Sequence, residues 1–119
     1  MDYSFNFGFF VTNHLNQKLS TTMIENTADE LMHAVLSREN DLVFDSSVGA
    51  VLRKSEIDVD LVVDANNERA AAALAADFVS EAIREIGGTP IGLFVFPPAK
   101  PRKTPRQDWH ERKAELLTI

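Results

Sequence analysis

The sequence predicts an α+β fold with its elements in the order strand, helix, strand, strand, helix, strand. Aromatic residues occupy every second position over residues 3–9, followed by Val11, and apolar and acidic residues alternate over residues 56–64. Two further segments carry apolar residues three and four positions apart. Alternation with a period of two indicates half-buried strands, and the wider spacing indicates amphipathic helices. The length of 119 residues fits a single domain.

The middle of the chain, residues 42–64, predicts two strands joined by a tight turn. If Lys54 and Ser55 form that turn, apolar residues face apolar residues across the pair, and Gly49 lies opposite Asp60. A two-residue turn usually contains Asn-Gly or a similar pair, so a longer loop would shift this register.

The remaining elements follow from capping and stop signals. The first helix is predicted to end near Arg38. The second begins at Asn66, a residue type that caps helices, and ends at Gly87 because glycine tolerates the left-handed conformation found there. A short last strand is predicted over residues 91–96 and ends at Pro97.

This order of elements resembles the ferredoxin-like fold, or split βαβ, and is similar to small βαββαβ modules that are widespread in bacterial proteins. The resemblance covers residues 1–98. It implies a four-stranded antiparallel sheet in the order 4-1-3-2, with both helices on one face. A proline-rich basic linker over residues 99–107 and a short amphipathic helix over residues 108–119 are predicted to follow. The fold hosts many functions, so the function has to be argued from the residues.

Composition excludes several chemistries. The chain has no cysteine, which rules out disulfides, thiolate catalysis and cysteine zinc sites. No apolar run reaches membrane-spanning length, and the first residues lack the features of a signal peptide, so a cytoplasmic location is predicted.

The charge is divided unevenly along the chain. Residues 1–99 contain six basic and fifteen acidic residues, a net charge of −9, whereas residues 100–119 contain six basic and three acidic residues, a net charge of +3. Nucleic-acid affinity comes chiefly from Lys and Arg contacts with phosphates. Nucleic acid is therefore an unfavoured partner for the acidic domain and a possible one for the basic tail.

The face of the predicted sheet that the helices leave open is the first candidate binding surface. Its candidate binding residues are Phe10, Gly49, Asp58, Asp60, Phe94 and Phe96. Such a mixture of aromatic and acidic groups is expected to be covered. We expect a homodimer interface or the docked tail there, with a small ligand or a protein partner as the alternative.

The basic tail is the second candidate binding surface. Its candidate binding residues are Lys100, Arg102, Lys103, Arg106 and Trp109. A lone tryptophan on a short terminal helix usually indicates docking, either on its own domain, on a partner subunit or on a separate partner.

A catalytic and a nucleic-acid interpretation are alternatives to these binding surfaces. Asp58 and Asp60 share one face of a strand and could hold Mg²⁺. With residues 48–50 they resemble the nucleotidyltransferase pattern, although no serine follows Gly49. RNA-recognition modules have the same element order, with Phe10 as a possible stacking ring, but the two aspartates would repel phosphate.

The function predicted first is a non-catalytic, self-associating module that binds a protein partner or small ligand through its open sheet face and basic tail. No catalytic residue, metal ligand or cofactor is assigned. The alternatives are a metal-dependent enzyme using Asp58 and Asp60, and a nucleic-acid accessory protein acting through the tail.

Overall fold

The computed structural model describes residues 1–92 and 107–117. In this part of the chain the elements are β1 (Asp2–Thr12), α1 (Thr21–Arg38), β2 (Val43–Val51), a one-turn 3₁₀ helix (Leu52–Lys54), β3 (Glu56–Asp64), α2 (Glu68–Glu85), β4 (Gly88–Ile91) and β5 (Gln107–Leu117). Within the same residues, neither helix is long and apolar enough to cross a membrane.

The described strands form one mixed sheet in the order β2-β3-β1-β5-β4. All neighbours are antiparallel except β4 and β5, which are parallel. The α+β class is therefore confirmed, but the four-stranded ferredoxin-like order 4-1-3-2 is wrong. The strand β5 occupies the place beside β1 that the prediction gave to the fourth strand, and β4 lies outside it.

The predicted helix over residues 108–119 is corrected to a strand over Gln107–Leu117. Its Glu, Lys, Ala and Leu residues favour a helix in isolation. Pairing with β1 along Ser4–Thr12 overrides that preference, because it satisfies the hydrogen-bonding groups on that side of β1. The last described residues thus belong to the domain's own sheet. Residues 93–96 of the predicted last strand and residues 99–106 of the predicted linker lie outside the described residues.

The alternation predicted for β1 and β3 is confirmed. Residues 5, 7, 9 and 11 of β1 and residues 57, 59, 61 and 63 of β3 are all buried. They form one hydrophobic cluster with Leu31 and Val35 of α1 and with Phe78 and Ile83 of α2. The core therefore lies between the sheet and the two helices, and none of the described elements covers the opposite face of the sheet, which is called the open face below.

The predicted hairpin register is shifted by two residues. Gly49 pairs with Asp58, and Ser47 pairs with Asp60. The connection is longer than the predicted two-residue turn, because Leu52–Lys54 form a 3₁₀ helix and Ser55 adopts the left-handed conformation with φ 55°. A shift by two preserves the face of each side chain, so the inward and outward sides of β3 stay as predicted.

Both helices begin at a side-chain cap. The Ser20 Oγ accepts a hydrogen bond from the Met23 amide at the start of α1. At the start of α2 the cap is Asn67, not the predicted Asn66, and its Oδ1 accepts from the Ala70 amide. Gly87, with φ 88°, ends α2 as predicted.

Ser55 joins the hairpin connection to the end of β1. Its buried hydroxyl donates to the carbonyl of Val11 at 2.5 Å and accepts from the amide of Leu19 at 3.1 Å. The Val11 amide donates in turn to the Ser55 carbonyl at 2.8 Å. Ser55 thus provides hydrogen-bond partners for three backbone groups, which are the Val11 carbonyl, the Val11 amide and the Leu19 amide.

We expect Ser55→Ala to lower the free energy of unfolding by about 1–3 kcal/mol, because it removes the hydroxyl and leaves buried backbone groups unpaired. Ser55→Gly loses the same hydrogen bonds but removes the cost of a Cβ at positive φ, which is about 1 kcal/mol. In urea denaturation the glycine variant should be the more stable of the two. The reverse order would mean that backbone strain at Ser55 is negligible.

Candidate functional site

The open face of the sheet is formed by the side chains that point away from the helices. From β1 it includes Asn6, Gly8 and Phe10, and from β3 it includes Glu56, Asp58 and Asp60. The strand β5 lies on the other side of β1 and contributes basic side chains. The acidic strand β3 and the two basic residues of β5, Arg112 and Lys113, thus lie on opposite sides of β1, although β5 also carries three acidic residues.

Asp58, and not Asp60 as predicted, lies opposite Gly49. A Cβ built on Gly49 would lie 3.0 Å from the Asp58 Oδ1, so the carboxylate lies directly against the glycine. The absence of a side chain at Gly49 therefore accommodates Asp58 rather than leaving space for a ligand.

Two other acidic residues of β3 have partners of their own. Asp60 accepts a hydrogen bond from the Asn6 Nδ2 at 2.8 Å, and Asn6 is buried. Asp64 accepts from the Met1 amino group at 2.9 Å, and this hydrogen bond raises the pKa of the amino group above its ordinary value. These pairings leave Glu56 and Asp58 as the acidic residues directed toward the centre of the face.

A β-bulge in β5 brings two consecutive basic residues to the open face. Gly8 pairs with Lys113 and Phe9 pairs with Glu111, so Arg112 is the extra residue. In a regular strand neighbouring side chains point to opposite faces, whereas a bulge can re-aim one of them. Arg112 and Lys113 consequently line the same groove. Neither residue is a candidate on sequence grounds, because the pattern of this segment predicts a helix.

Phe10 lies beside this pair. The Arg112 guanidinium carbon is 4.8 Å from the centre of the Phe10 ring, a cation–π distance. The His110 ring is 6.0 Å away on the same strand as Arg112, and its Nε2 is 3.0 Å from the Thr12 hydroxyl. Phe10 is therefore on the open face as predicted, but its ring already has a stacking partner.

The groove above Gly8 has a volume of about 360 Å³. Its lining residues are Asn6, Gly8, Phe9, Val51, Glu56, Ile57, Asp58, Arg112 and Lys113. Gly8 lies at the floor of the groove. A Cβ at this position would point toward the groove and lie 3.2 Å from the Cβ of Lys113. Among the residues that the structure describes, Lys113 forms its ion pair with Glu115 at 3.5 Å, and no ion pair joins Glu56 or Asp58 to the basic side.

The remaining predicted site residues are either outside the described part of the chain or in the core. Phe94, Phe96, Lys100, Arg102, Lys103 and Arg106 lie outside the described residues. Trp109 is fully buried in the core, and its Nε1 donates to the Gln107 Oε1 at 3.3 Å. Of the docking alternatives predicted for Trp109, the described structure shows packing on its own domain.

Asp58 and Asp60 were the predicted metal-binding pair of the enzymatic alternative. Over residues 1–92 and 107–117, no group of three or more His, Asp or Glu side chains is arranged to hold a metal ion. Asp60 is also hydrogen-bonded to Asn6, as described above.

Comparisons of this chain with protein-family models, with curated proteins and with solved structures found no match in any of the three.

Proposed function

We propose that this chain is a non-catalytic binding module whose binding site is the groove above Gly8 on the open face of the sheet. The observation that carries the proposal is the β-bulge that turns both Arg112 and Lys113 toward this groove. Bulges are common beside functional sites because they redirect side chains at little cost to the rest of the sheet.

The charges of the groove support a ligand that carries both a cation and an anion. Glu56 and Asp58 form one wall, and Arg112 and Lys113 form the other. A ligand with an ammonium group and a carboxylate would compensate both walls at once, whereas a simple anion or cation would be repelled by one of them. The groove volume of about 360 Å³ is at the lower end of the range for small-molecule sites.

The width of the groove favours a ligand of about the size of a dipeptide. The strands β3 and β5 are separated by β1, which puts them two strand spacings, or about 10 Å, apart. An extended dipeptide spans about 7 Å. When the side chains of β3 and β5 lean away from β1, this length leaves room for one hydrogen bond at each end of the ligand. Exposed ion pairs contribute little, so we expect a dissociation constant of about 1 mM.

We expect glycylglycine to shift the amide NMR signals of Gly8, Asp58 and Lys113 in a saturable manner. Its uncharged analogue N-acetylglycinamide should leave them unchanged, because it can pair with neither wall. Arg112→Ala and Asp58→Asn should each weaken binding about 5-fold or more, since each removes one charged contact. The matched controls are Arg69→Ala and Asp77→Asn, which remove exposed charges of the same kinds on α2.

Equal shifts from the uncharged analogue, or no shifts at about 10 mM glycylglycine, would overturn the proposal. Saturable shifts at Asp58 and Asp60 on addition of Mg²⁺ alone would instead support the metal-dependent alternative. A cytoplasmic location and a role for the basic tail stay predictions from the sequence.

A further inference from the structure

The two edges of the sheet differ in how well they are protected against pairing with another strand. At one edge, β4 is only four residues long and contains Pro90, which has no amide hydrogen to donate. At the other edge, β2 pairs with β3 regularly over Ser47–Val51 and, among the described residues, has no strand on its outer side. The β2 edge is therefore the one open to further hydrogen bonding.

The segment Ser47–Val51 lacks the usual protective residues. Edge strands in natural proteins commonly carry lysine, proline or a bulge that prevents pairing. This segment contains only small or uncharged residues, and four of its five are exposed. The bulge of β2 lies at Asp45, with φ 51°, and precedes the segment without interrupting it.

Residues of opposite charge lie just outside the two ends of the segment. They are complementary when two copies of the strand pair antiparallel. Antiparallel pairing about a two-fold axis at Gly49 places Ser47 opposite Val51 of the second copy. In this register each end of the paired segment has Asp45 of one copy, in the bulge, on the same side as Arg53 of the other copy, in the 3₁₀ helix. Both residues are exposed, and neither forms an ion pair with any other described residue.

We propose that two copies of this chain pair antiparallel through Ser47–Val51 and join their sheets into one continuous sheet. A two-fold axis makes such an interface isologous, so each favourable contact occurs twice. The opposite charges at the ends of the segment set the register, as cross-strand charge pairs do. This interface lies at a sheet edge, and its existence does not depend on the ligand proposed for the groove above Gly8.

The oligomeric state of the full chain, measured by sedimentation over a range of concentrations, tests the interface. We expect a concentration-dependent dimer. Ala50→Lys should abolish it at concentrations where the parent chain is dimeric, because a charge then enters the paired segment. Ala50 is exposed, so the circular dichroism of the variant should match that of the parent.

A charge exchange tests the register and the identity of the partner. Asp45→Lys and Arg53→Glu should each weaken the dimer about tenfold, since each puts like charges together twice. The double variant should return to within about threefold of the parent, because it restores opposite charges in reversed order. The control for Arg53→Glu is Arg69→Glu, which makes the same change in net charge on α2 and should leave the dimer unchanged.

Amide hydrogen exchange supplies an independent measurement. Exchange over residues 47–51 should slow as the protein concentration rises, and exchange in β4 should not. A monomer at about 100 µM, a dimer unaffected by Ala50→Lys, or a double variant as weak as the single ones would each overturn the proposal.

Discussion

Replacing Trp109 with alanine is expected to lower the free energy of unfolding by about 3–5 kcal/mol, the usual cost of removing a large buried aromatic side chain. Trp109 has no exposed surface and packs edge-on against Phe9, with the ring centres 5.6 Å apart. Total stabilities of single domains are about 5–15 kcal/mol, so this loss is a large part of the whole.

The effect should be large for a second reason, because Trp109 is part of a buried polar connection. Its Nε1 donates to Gln107, whose Nε2 donates in turn to the Thr27 hydroxyl of α1 at 3.0 Å. Trp109→Ala removes the Nε1 donor and leaves the side-chain Oε1 of Gln107 without this hydrogen bond. Trp109 therefore attaches β5 to the core and, through Gln107, to α1.

Denaturation followed by far-UV circular dichroism measures this prediction, since the variant has no tryptophan left for fluorescence. The control is Lys113→Ala on the same strand, which alters an exposed side chain and should change stability by no more than about 0.5 kcal/mol. A loss below about 1 kcal/mol in Trp109→Ala would mean that β5 does not contribute to the cooperative core.

Gly88→Ala should be the second most damaging change, with an expected loss of about 3 kcal/mol. A Cβ at this position would clash with the Trp109 Nε1 and would lie 2.7 Å from the Ile83 Cγ2. Both neighbours are fully buried, so neither can move aside without disturbing the packing. The first strand residue after α2 thus has to be glycine to let the indole ring approach the backbone.

A double-mutant cycle checks the cause. Trp109→Phe reduces the ring that the new methyl group would meet, so Gly88→Ala should cost clearly less in that background than in the parent. Gly8→Ala provides the matched glycine control. Its Cβ would lie 3.2 Å from the exposed Lys113 side chain, and we expect a loss below about 1 kcal/mol. Additive effects of Gly88→Ala and Trp109→Phe would contradict the steric explanation.

Much of the architecture is predictable from local patterns. The alternation in β1 and β3, the two helices and the stop at Gly87 all depend on residues close together in the sequence, and the structure confirms each of them. The β2–β3 register was not predictable in the same way, because it depends on a left-handed Ser55 whose hydroxyl is bound by distant β1 and loop residues. A serine at that position carries no local turn signal of the kind that glycine or asparagine gives.

The candidate site was predictable only in part. The sequence placed Phe10 and Asp58 on the open face through the period of two in their strands. It could not place Arg112 and Lys113 there, because the residues around them favour a helix, and a bulge cannot be recognised before the pairing partner is known.

The sequence by itself determined which faces of β1 and β3 are buried, since burial of alternating apolar residues is a property of each strand alone. Only the tertiary structure decided that residues 107–117 form a strand between β1 and β4. The physical reason is that the outer side of β1 offers a row of hydrogen-bonding groups and the core offers a site for Trp109. Together these contacts outweigh the helical preference of the segment, and they can form only when its distant partners are already in place.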